Sequence, residues 1–268
     1  MSKKHLQTTQ RQFTKTAEAF IKRHPRDTQE MLAERAGFVK PQPEDLALDV
    51  ACGGGTLVLA LAPWVRRAFG IDLTPAMLTH AREFQRERQI QNTAFTCGEA
   101  GRLPFADGTF DLVTCQFSLH HMQKPQAILR EMLRVMKPAG RMMVVDTLGP
   151  ESDEKWELHQ EIEVLRDPSH TASLRLTSFL ASFEALGLEV MRQKLLRRER
   201  SFNDWMLRAG LDFSDKRYAE ARRLMQSSER GDRAGFSPKP HGEDILITHN
   251  EGMFLVMRPG GESTLSRE

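Results

Sequence analysis

The chain has 268 residues, of which 28% are charged, and its formal net charge is +2. So small a net charge gives no electrostatic case for a nucleic-acid partner. No run approaches the roughly 20 apolar residues of a membrane span, and no apolar stretch follows the basic N-terminus as in a signal peptide. The three well-separated cysteines argue against a disulfide framework. These features predict a cytoplasmic protein.

The first 40 residues predict helices that precede the sheet. Within residues 7–23, the apolar residues at helical spacing are Phe13, Ala17, Phe20 and Ile21. A second helix is predicted to begin near Thr28. We expect residues 1–40 to form an N-terminal helical cap, which either packs against the sheet or covers its ligand-binding edge.

Residues 46–61 predict the first strand, turn and helix of an open α/β sheet. An apolar run that contains Asp49 breaks into glycines at residues 53–55 and then continues with helical character. Glycines in such a turn allow positive φ and let a ligand approach the backbone closely. In open α/β sheets small ligands bind at these turns, at the carboxyl ends of the strands.

Further strands alternate with helices as far as residue 147. We predict them at residues 68–72, 94–97, 110–116 and 141–146. This alternation implies an α/β fold, with a Rossmann-like, doubly wound and mostly parallel sheet of seven strands. Residues 41–150 would form the cofactor-binding core, and residues 151–260 would add the remaining strands and substrate-covering helices. We expect a mobile loop at residues 230–241 and a disordered tail at residues 261–268.

The residues around the glycines discriminate between nucleotide-like ligands. A dinucleotide fingerprint needs a third small residue where this chain has Val58. Asp49 would repel a pyrophosphate but suits a ligand with a cationic part. Without a Gly-Lys-Ser or Gly-Lys-Thr sequence, a nucleotide-triphosphate loop is excluded. A nicotinamide-dependent oxidoreductase stays an alternative that Val58 and Asp49 weaken.

Six motifs in succession resemble those of the class I S-adenosylmethionine-dependent methyltransferases. They lie at residues 49–55, 70–74, 98–105, 110–113, 119–121 and 134–141. The resemblance covers roughly residues 46–147. It is strongest to the small-molecule branch that includes the ubiquinone/menaquinone-biosynthesis C-methyltransferases. One departure is Ala51, where that family usually has glycine, and we expect a slightly tighter pocket that still binds the cofactor.

The resemblance implies an S-adenosylmethionine site built from the turns after four strands. The first turn would lie along the methionine moiety, and the acid that ends the second strand would bind both ribose hydroxyls. Two apolar residues after that acid would flank the adenine ring, and the turn after the third strand would face the edge of this ring. A backbone carbonyl in the turn after the fourth strand would face the cofactor's amino group. In that order the residues are Asp49, Ala51, Gly53 and Gly55; Asp72; Leu73 and Met77; Glu99 and Ala100; and Gln116 with Phe117. Simpler alternatives are a helix N-cap partner for Asp72 and a solvated loop acid for Glu99.

Methyl transfer from a sulfonium is an in-line displacement, so the protein must mainly align the reacting atoms and exclude water. A general base is optional. The candidates are His120 and His121, just beyond the fourth strand, and His170, in the segment after the fifth. The alternative for each is a structural role in orienting a loop or starting a helix.

We predict an enzyme that moves a methyl group from S-adenosylmethionine to a small, apolar or aromatic acceptor, without a metal. The apolar residues available for the acceptor pocket are Phe13, Phe20, Phe179 and Phe183. A non-catalytic cofactor-binding regulatory module is a further alternative. A macromolecular methyltransferase is weakened because the chain lacks an Asn-Pro-Pro-Tyr-type tetrapeptide after the fourth strand. The sequence leaves open a homodimer and the atom that is methylated.

Overall fold

The computed structural model describes residues 2–22 and 29–260, with the side chains of all of these except residues 18–22 and 29. The predicted pocket role of Phe20 and the predicted disordered tail at residues 261–268 lie outside the described residues.

Helices and strands alternate along the chain because apolar residues recur with the matching periods. The elements of the first half are α1 (Lys3–Lys22), α2 (Gln29–Val39), β1 (Leu46–Val50), α3 (Thr56–Leu61), β2 (Arg67–Asp72), α4 (Pro75–Glu87), β3 (Thr93–Cys97), β4 (Phe110–Gln116), α5 (Pro125–Val135) and β5 (Met136–Thr147). Those of the second half are α6 (Asp153–Arg166), α7 (Leu176–Ala185), β6 (Glu189–Ser201), α8 (Phe202–Arg208), α9 (Lys216–Ser227), β7 (Lys239–His241) and β8 (Asp244–Met257).

A single sheet joins the strands in the order β3-β2-β1-β4-β5-β8-β6, and the short β7 pairs with β8. Strands β1 to β5 pair in parallel with one another, whereas β8 is antiparallel to both β5 and β6. The strand order reverses between β1 and β4, so a crevice forms beyond their carboxyl ends. The predicted α/β fold with a mostly parallel sheet is confirmed, and β7 adds one strand to the seven predicted.

Separate apolar cores cover the two faces of the sheet. Alternation along β1 sends Leu48 into one core and Ala47 into the other. The first core also takes Phe179 and Phe183, whose rings lie 5.2 and 5.5 Å from that of Phe254. Both side chains are fully buried against β8. The expectation that these two residues line an acceptor pocket is therefore wrong, because the apolar face of α7 covers the sheet.

The middle of the 230–241 segment, residues 234–238, packs against the protein, while both ends of the segment are exposed. The ring of Phe236 is fully buried, stacks on the ring of His159 at 4.1 Å, and lies 5.7 Å from that of Trp205. These contacts belong to a third apolar core between α6, α8 and α9. The expectation of a mobile loop does not hold for residues 234–238, since Phe236 anchors this part of a segment that is otherwise rich in glycine and proline.

Gly55 lets the start of α3 approach its neighbours closely. Its φ is 74°, and a β-carbon there would lie 2.7 Å from Cε1 of Phe95 and 2.9 Å from Cβ of Ala81. Gly187, just after α7, also has positive φ, but a β-carbon there would meet nothing within 4 Å. Substituting each glycine with alanine therefore separates the effect of crowding on stability, present only at Gly55, from that of the positive φ, which both residues share.

We expect Gly55→Ala to lower the free energy of unfolding by about 1–3 kcal/mol more than Gly187→Ala does. Both variants share the cost of placing alanine in the left-handed region, so the difference reports crowding against β3 and α4. Denaturant unfolding of both variants measures it. Equal losses would show that the packing around Gly55 is loose.

Candidate functional site

A cavity of about 260 Å³ opens beyond the carboxyl ends of the central strands, beneath α1. A single ordered water needs roughly 10–15 Å³, so this space accommodates a small molecule. The helix α1 packs on α4 and α8. The Gln10 side chain donates to the Leu73 carbonyl at 3.1 Å, and Thr9 and Phe13 line the cavity. The cavity is thus closed on one side by the N-terminal helix.

Most of the residues assigned to the cofactor by resemblance line this cavity. They are Ala51, Gly53, Asp72, Leu73, Met77, Glu99, Ala100, Gln116 and Phe117. Four separate turns contribute them, because the carboxyl ends of parallel strands meet at the same edge of the sheet. The sequence motifs therefore converge on one place in the structure.

Asp49 and Gly55 are not among the residues that line the cavity. Asp49 is buried where β1 pairs with β4, and its carboxylate accepts a hydrogen bond from Oγ1 of Thr114 at 2.6 Å. Gly55 faces Phe95 and Ala81. The contacts of both residues with β4, β3 and α4 support the turn after β1.

The turn after β1 carries two positive φ angles on the cavity side, 57° at Ala51 and 53° at Gly53. Alanine adopts this region at a cost of roughly 1–2 kcal/mol, so the departure from glycine at residue 51 stores backbone strain at the site. A β-carbon at Gly53 would lie 3.2 Å from Cε of Met77. Glycine at residue 53 therefore keeps open the space between the turn and α4.

Asp72 joins two of the cavity's loops. Its Oδ2 accepts from the Gly53 amide at 2.9 Å, and its Oδ1 accepts from the Thr74 amide at 2.8 Å. Burial raises the pKa of Asp72, and these two donated hydrogen bonds oppose the rise. Thr74 is the N-cap residue of α4. Asp72 therefore both supports the start of this helix, as the simpler alternative expects, and lines the cavity. Each carboxylate oxygen keeps a further lone pair for a ligand hydroxyl.

The three candidate histidines form one cluster. The ring of His120 lies 4.2 Å from that of His121 and 5.6 Å from that of His170. Of the three, only His121 lines the cavity. The three predicted histidines therefore lie together, and the packing gives them different surroundings.

His120 and His170 are held by polar partners away from the cavity. Nδ1 of His120 lies 2.5 Å from Oδ1 of Asp146, at the end of β5. Burial lowers the pKa of His120, but the Asp146 carboxylate outweighs burial and the net shift is upward. Nε2 of His170 lies 2.8 Å from Oε1 of Gln160, and burial lowers the pKa of His170 to about 3. The positions of both residues favour the structural alternative.

His121 is 6% exposed, and its ring packs edge-on against that of Phe13 with the centroids 5.0 Å apart. Nδ1 lies 3.1 Å from Oγ of Ser169. Burial, followed by the charge of His120, lowers the pKa of His121 to about 4. The ring is therefore neutral at neutral pH and has the protonation state that a general base needs.

Several cavity residues were missed by the motif comparison. Thr9 of α1 lines the cavity. The helical period of the sequence predicts that α1 has an apolar face, but it does not show which surface of the protein this face covers. Phe84 and Arg88 of the α4 region also line the cavity. They follow Met77 by seven and eleven residues, so the helical repeat from a predicted site residue could have found them.

Within residues 2–22 and 29–260, no group of three or more His, Cys, Asp or Glu side chains is arranged to hold a metal ion. The helices in these same ranges are each too short or too polar to cross a membrane. All three cysteines are free thiols.

A parallel α/β sheet with a small-molecule cavity where the strand order reverses is typical of domains that bind nucleotide-like ligands. Comparison with known proteins narrows this class. Residues 48–144 match the family model described as a methyltransferase domain. The predicted resemblance to the methyltransferases is confirmed, and residues 48–144 are the part of the chain that carries it.

Proteins similar to this chain are also described as methyltransferases. The uncharacterised methyltransferase YcgJ of Bacillus subtilis (strain 168) is 34% identical over 167 residues, which are 62% of this chain and 66% of YcgJ. A demethylmenaquinone methyltransferase of Geobacillus sp. (strain WCH70) is 37% identical over 107 residues, 39% of this chain and 46% of that protein. The chain thus spans less than two thirds of the length of these curated relatives.

The crystal structure of YcgJ from Bacillus subtilis superposes with a TM-score of 0.80 at 27% identity. It covers 87% of this chain and 100% of that one. The similarity in structure therefore extends well beyond residues 48–144.

The buried histidines predict a loss of stability in mild acid. Histidines of the unfolded chain bind protons near pH 6.5, whereas His170 stays neutral in the folded state until about pH 3. The unfolded state therefore binds more protons below pH 6.5, and the free energy of unfolding falls as the pH drops.

Between pH 7.0 and pH 5.5, we expect the free energy of unfolding of His170→Gln to fall by about 1 kcal/mol less than that of the unmodified chain. Denaturant unfolding at the two pH values gives this difference, and His241→Gln, which removes an exposed histidine on β7, is the control. The same pH dependence in His170→Gln and the unmodified chain would contradict a neutral buried His170.

Proposed function

We propose that this protein transfers a methyl group from S-adenosylmethionine to a small, apolar or aromatic acceptor. The observation that carries the proposal is the single cavity in which the cofactor residues implied by the motifs meet the neutral His121. The methyltransferase domain at residues 48–144 supports the class of reaction.

The residues of the cavity fit this cofactor. Asp72 offers two carboxylate oxygens to a pair of vicinal hydroxyls, and Leu73 and Met77 offer an apolar surface to a ring. The electrostatic potential at the first turn is negative: burial and then the charges of Asp72 and Asp49 raise the pKa of Cys52 well above its usual value. A negative potential favours a ligand with a cationic sulfur over a dinucleotide with a pyrophosphate.

The acceptor would occupy the part of the cavity next to His121. Its walls there come from Thr9 and Phe13 of α1 and from Ser118 and Met122 on either side of the histidine turn. These four side chains carry no charge, so a neutral acceptor with apolar or aromatic surface meets no unpaired charge on binding. The match to a demethylmenaquinone methyltransferase supports a small-molecule acceptor.

When bound, S-adenosylmethionine supplies an activated methyl group on a positively charged sulfur. The protein's tasks are then to position the acceptor and to keep water away. The helix α1 closes over the cavity and excludes water. Where the acceptor's nucleophilic atom carries a hydrogen, neutral His121 takes up that proton and releases it to solvent after the transfer.

Asp72→Ala should weaken the binding of S-adenosylmethionine by about 100-fold or more, because two hydrogen bonds to a charged group are lost. Isothermal titration calorimetry with S-adenosylmethionine and with S-adenosylhomocysteine measures the effect. Asp107→Ala, which removes an exposed carboxylate outside the cavity, is the matched control. Asp72→Asn keeps the side-chain volume if the alanine variant fails to fold.

Unchanged affinity in both Asp72 variants, or no binding of S-adenosylmethionine by the unmodified protein, would contradict the proposed cofactor. A parallel titration with NADH tests the oxidoreductase alternative, and saturable NADH binding would favour it.

His121→Asn should lower kcat by roughly 10²–10⁴-fold, since general base catalysis contributes that much, and should leave cofactor affinity unchanged. Formation of S-adenosylhomocysteine is measured with a panel of phenols, quinols, thiols and amines. His170→Asn removes a buried histidine of the same cluster that lies outside the cavity, and we expect its rate to stay within a few-fold. Cofactor binding without turnover on any acceptor would instead favour a regulatory module.

A further inference from the structure

We propose that Ser169 and Asp167 are positioning residues, which hold His121 in the tautomer with its proton on Nδ1 and an unprotonated Nε2 toward the cavity. Oγ of Ser169 lies 2.7 Å from Oδ1 of Asp167 and 3.1 Å from Nδ1 of His121. All three side chains are buried. The proposal rests on the proposed function for its catalytic consequence, whereas the tautomer can be tested without turnover.

The positions of the hydrogens follow from the donors available. A serine hydroxyl has one hydrogen to donate, and an ionised carboxylate can only accept. Asp167 is ionised: burial opposes its charge, but the positive charge of Arg166 and the hydrogen bonds from Ser169, which do not depend on the protonation of His121, lower its pKa. At 2.7 Å the hydroxyl hydrogen must lie between the two oxygens, because two lone pairs at that distance would repel. Oγ of Ser169 is then an acceptor toward His121, and Nδ1 of the ring must be the donor.

The other ring nitrogen remains available. The two nitrogens project from opposite edges of the imidazole, so a ring whose Nδ1 is bound to Ser169 presents Nε2 on the far side. Among the described residues, Nε2 of His121 has no hydrogen-bond partner, and the residue lines the cavity. An unprotonated Nε2 in this position can accept a proton from the nucleophilic atom of an acceptor.

Backbone contacts fix the segment that carries Ser169. The amide of Ser169 donates to the Asp167 carboxylate at 2.8 Å, and the amide of Thr171 donates to the His120 carbonyl at 2.8 Å. On the opposite side, Nε2 of His5 on α1 lies 2.7 Å from the His121 carbonyl oxygen. The histidine is thus held between α1 and residues 167–171, so its ring has a defined orientation before any ligand arrives.

The charged and titratable groups around the ring act in opposite directions. His120, paired with Asp146, lies against one face of His121, and its positive charge disfavours a second proton. His170 lies at 6.3 Å and His5 contacts the backbone from α1. Asp167 is the group whose negative charge reaches His121 through Ser169, so it stabilises the positive ring that forms when Nε2 takes up a proton. The serine hydroxyl lies between ring and carboxylate and is therefore no nucleophile.

The tautomer is read directly by long-range ¹H–¹⁵N correlation NMR on protein labelled at histidine, at pH 7 with S-adenosylhomocysteine added. We expect a protonated Nδ1 and an unprotonated Nε2 for His121, whose signals are identified by their loss in His121→Asn. Ser169→Ala should convert the fixed tautomer to a mixture or to the Nε2-protonated form, and Ser169→Thr should preserve it. Ser173→Ala is the control, because Ser173 is buried in the same segment and its hydroxyl makes no hydrogen bond to a described residue.

The consequence for the reaction is a separate measurement. Ser169→Ala should lower kcat at least tenfold with cofactor affinity unchanged, and Ser169→Thr should restore most of the rate. An Nε2-protonated His121 in the unmodified protein, or an unchanged tautomer in Ser169→Ala, overturns the assignment whatever the activity. The expected tautomer in a protein that binds no S-adenosylmethionine overturns the proposed function and leaves the positioning roles intact.

Discussion

The carboxylate of Asp72 is the contact on which the shape of the site depends. It binds the amides of Gly53 and Thr74 at the same time, and so it joins the turn after β1 to the start of α4. Hydrogen bonds to a charged acceptor are stronger than neutral ones, and this pair spans two loops that would otherwise move independently. The loops enclose the cavity, and the acid that ties them also lines it. One side chain therefore holds the two loops together and presents its remaining lone pairs to the cavity.

The opposite side of the cavity is closed by contacts of a different kind. Gln10 and His5 of α1 bind the backbone carbonyls of Leu73 and His121. A backbone carbonyl accepts a hydrogen bond whatever side chain its residue carries. The position of α1 therefore depends on the backbone of these loops and not on their side chains. The helix and the turn after β4 line the cavity with the uncharged side chains of Thr9, Phe13, Ser118 and Met122. The carboxylates that line it, Asp72 and Glu99, follow β2 and β3 instead.

Errors in the sequence prediction share one cause. Phe179, Phe183 and residues 230–241 were assigned from local composition, as pocket aromatics and as a mobile loop. In the folded chain the two phenylalanines pack on Phe254, and Phe236 anchors the loop between helices. Aromatic residues bury large apolar areas, and which surface buries them depends on partners far away in the chain. Local composition carries no information about that choice.

The sequence by itself determined the mostly parallel sheet, its strands through residue 147 and the turns after these strands that line the cavity. Periodicity and glycine placement are local, and parallel strands bring their carboxyl ends to one edge, so those residues had to meet. Only the tertiary structure decided which histidine faces the cavity. His120 and His121 are neighbours in the chain, but Asp146 binds the first and Ser169 the second. Those partners lie 26 and 48 residues away, and a hydrogen bond over such a separation exists only once the intervening elements have packed.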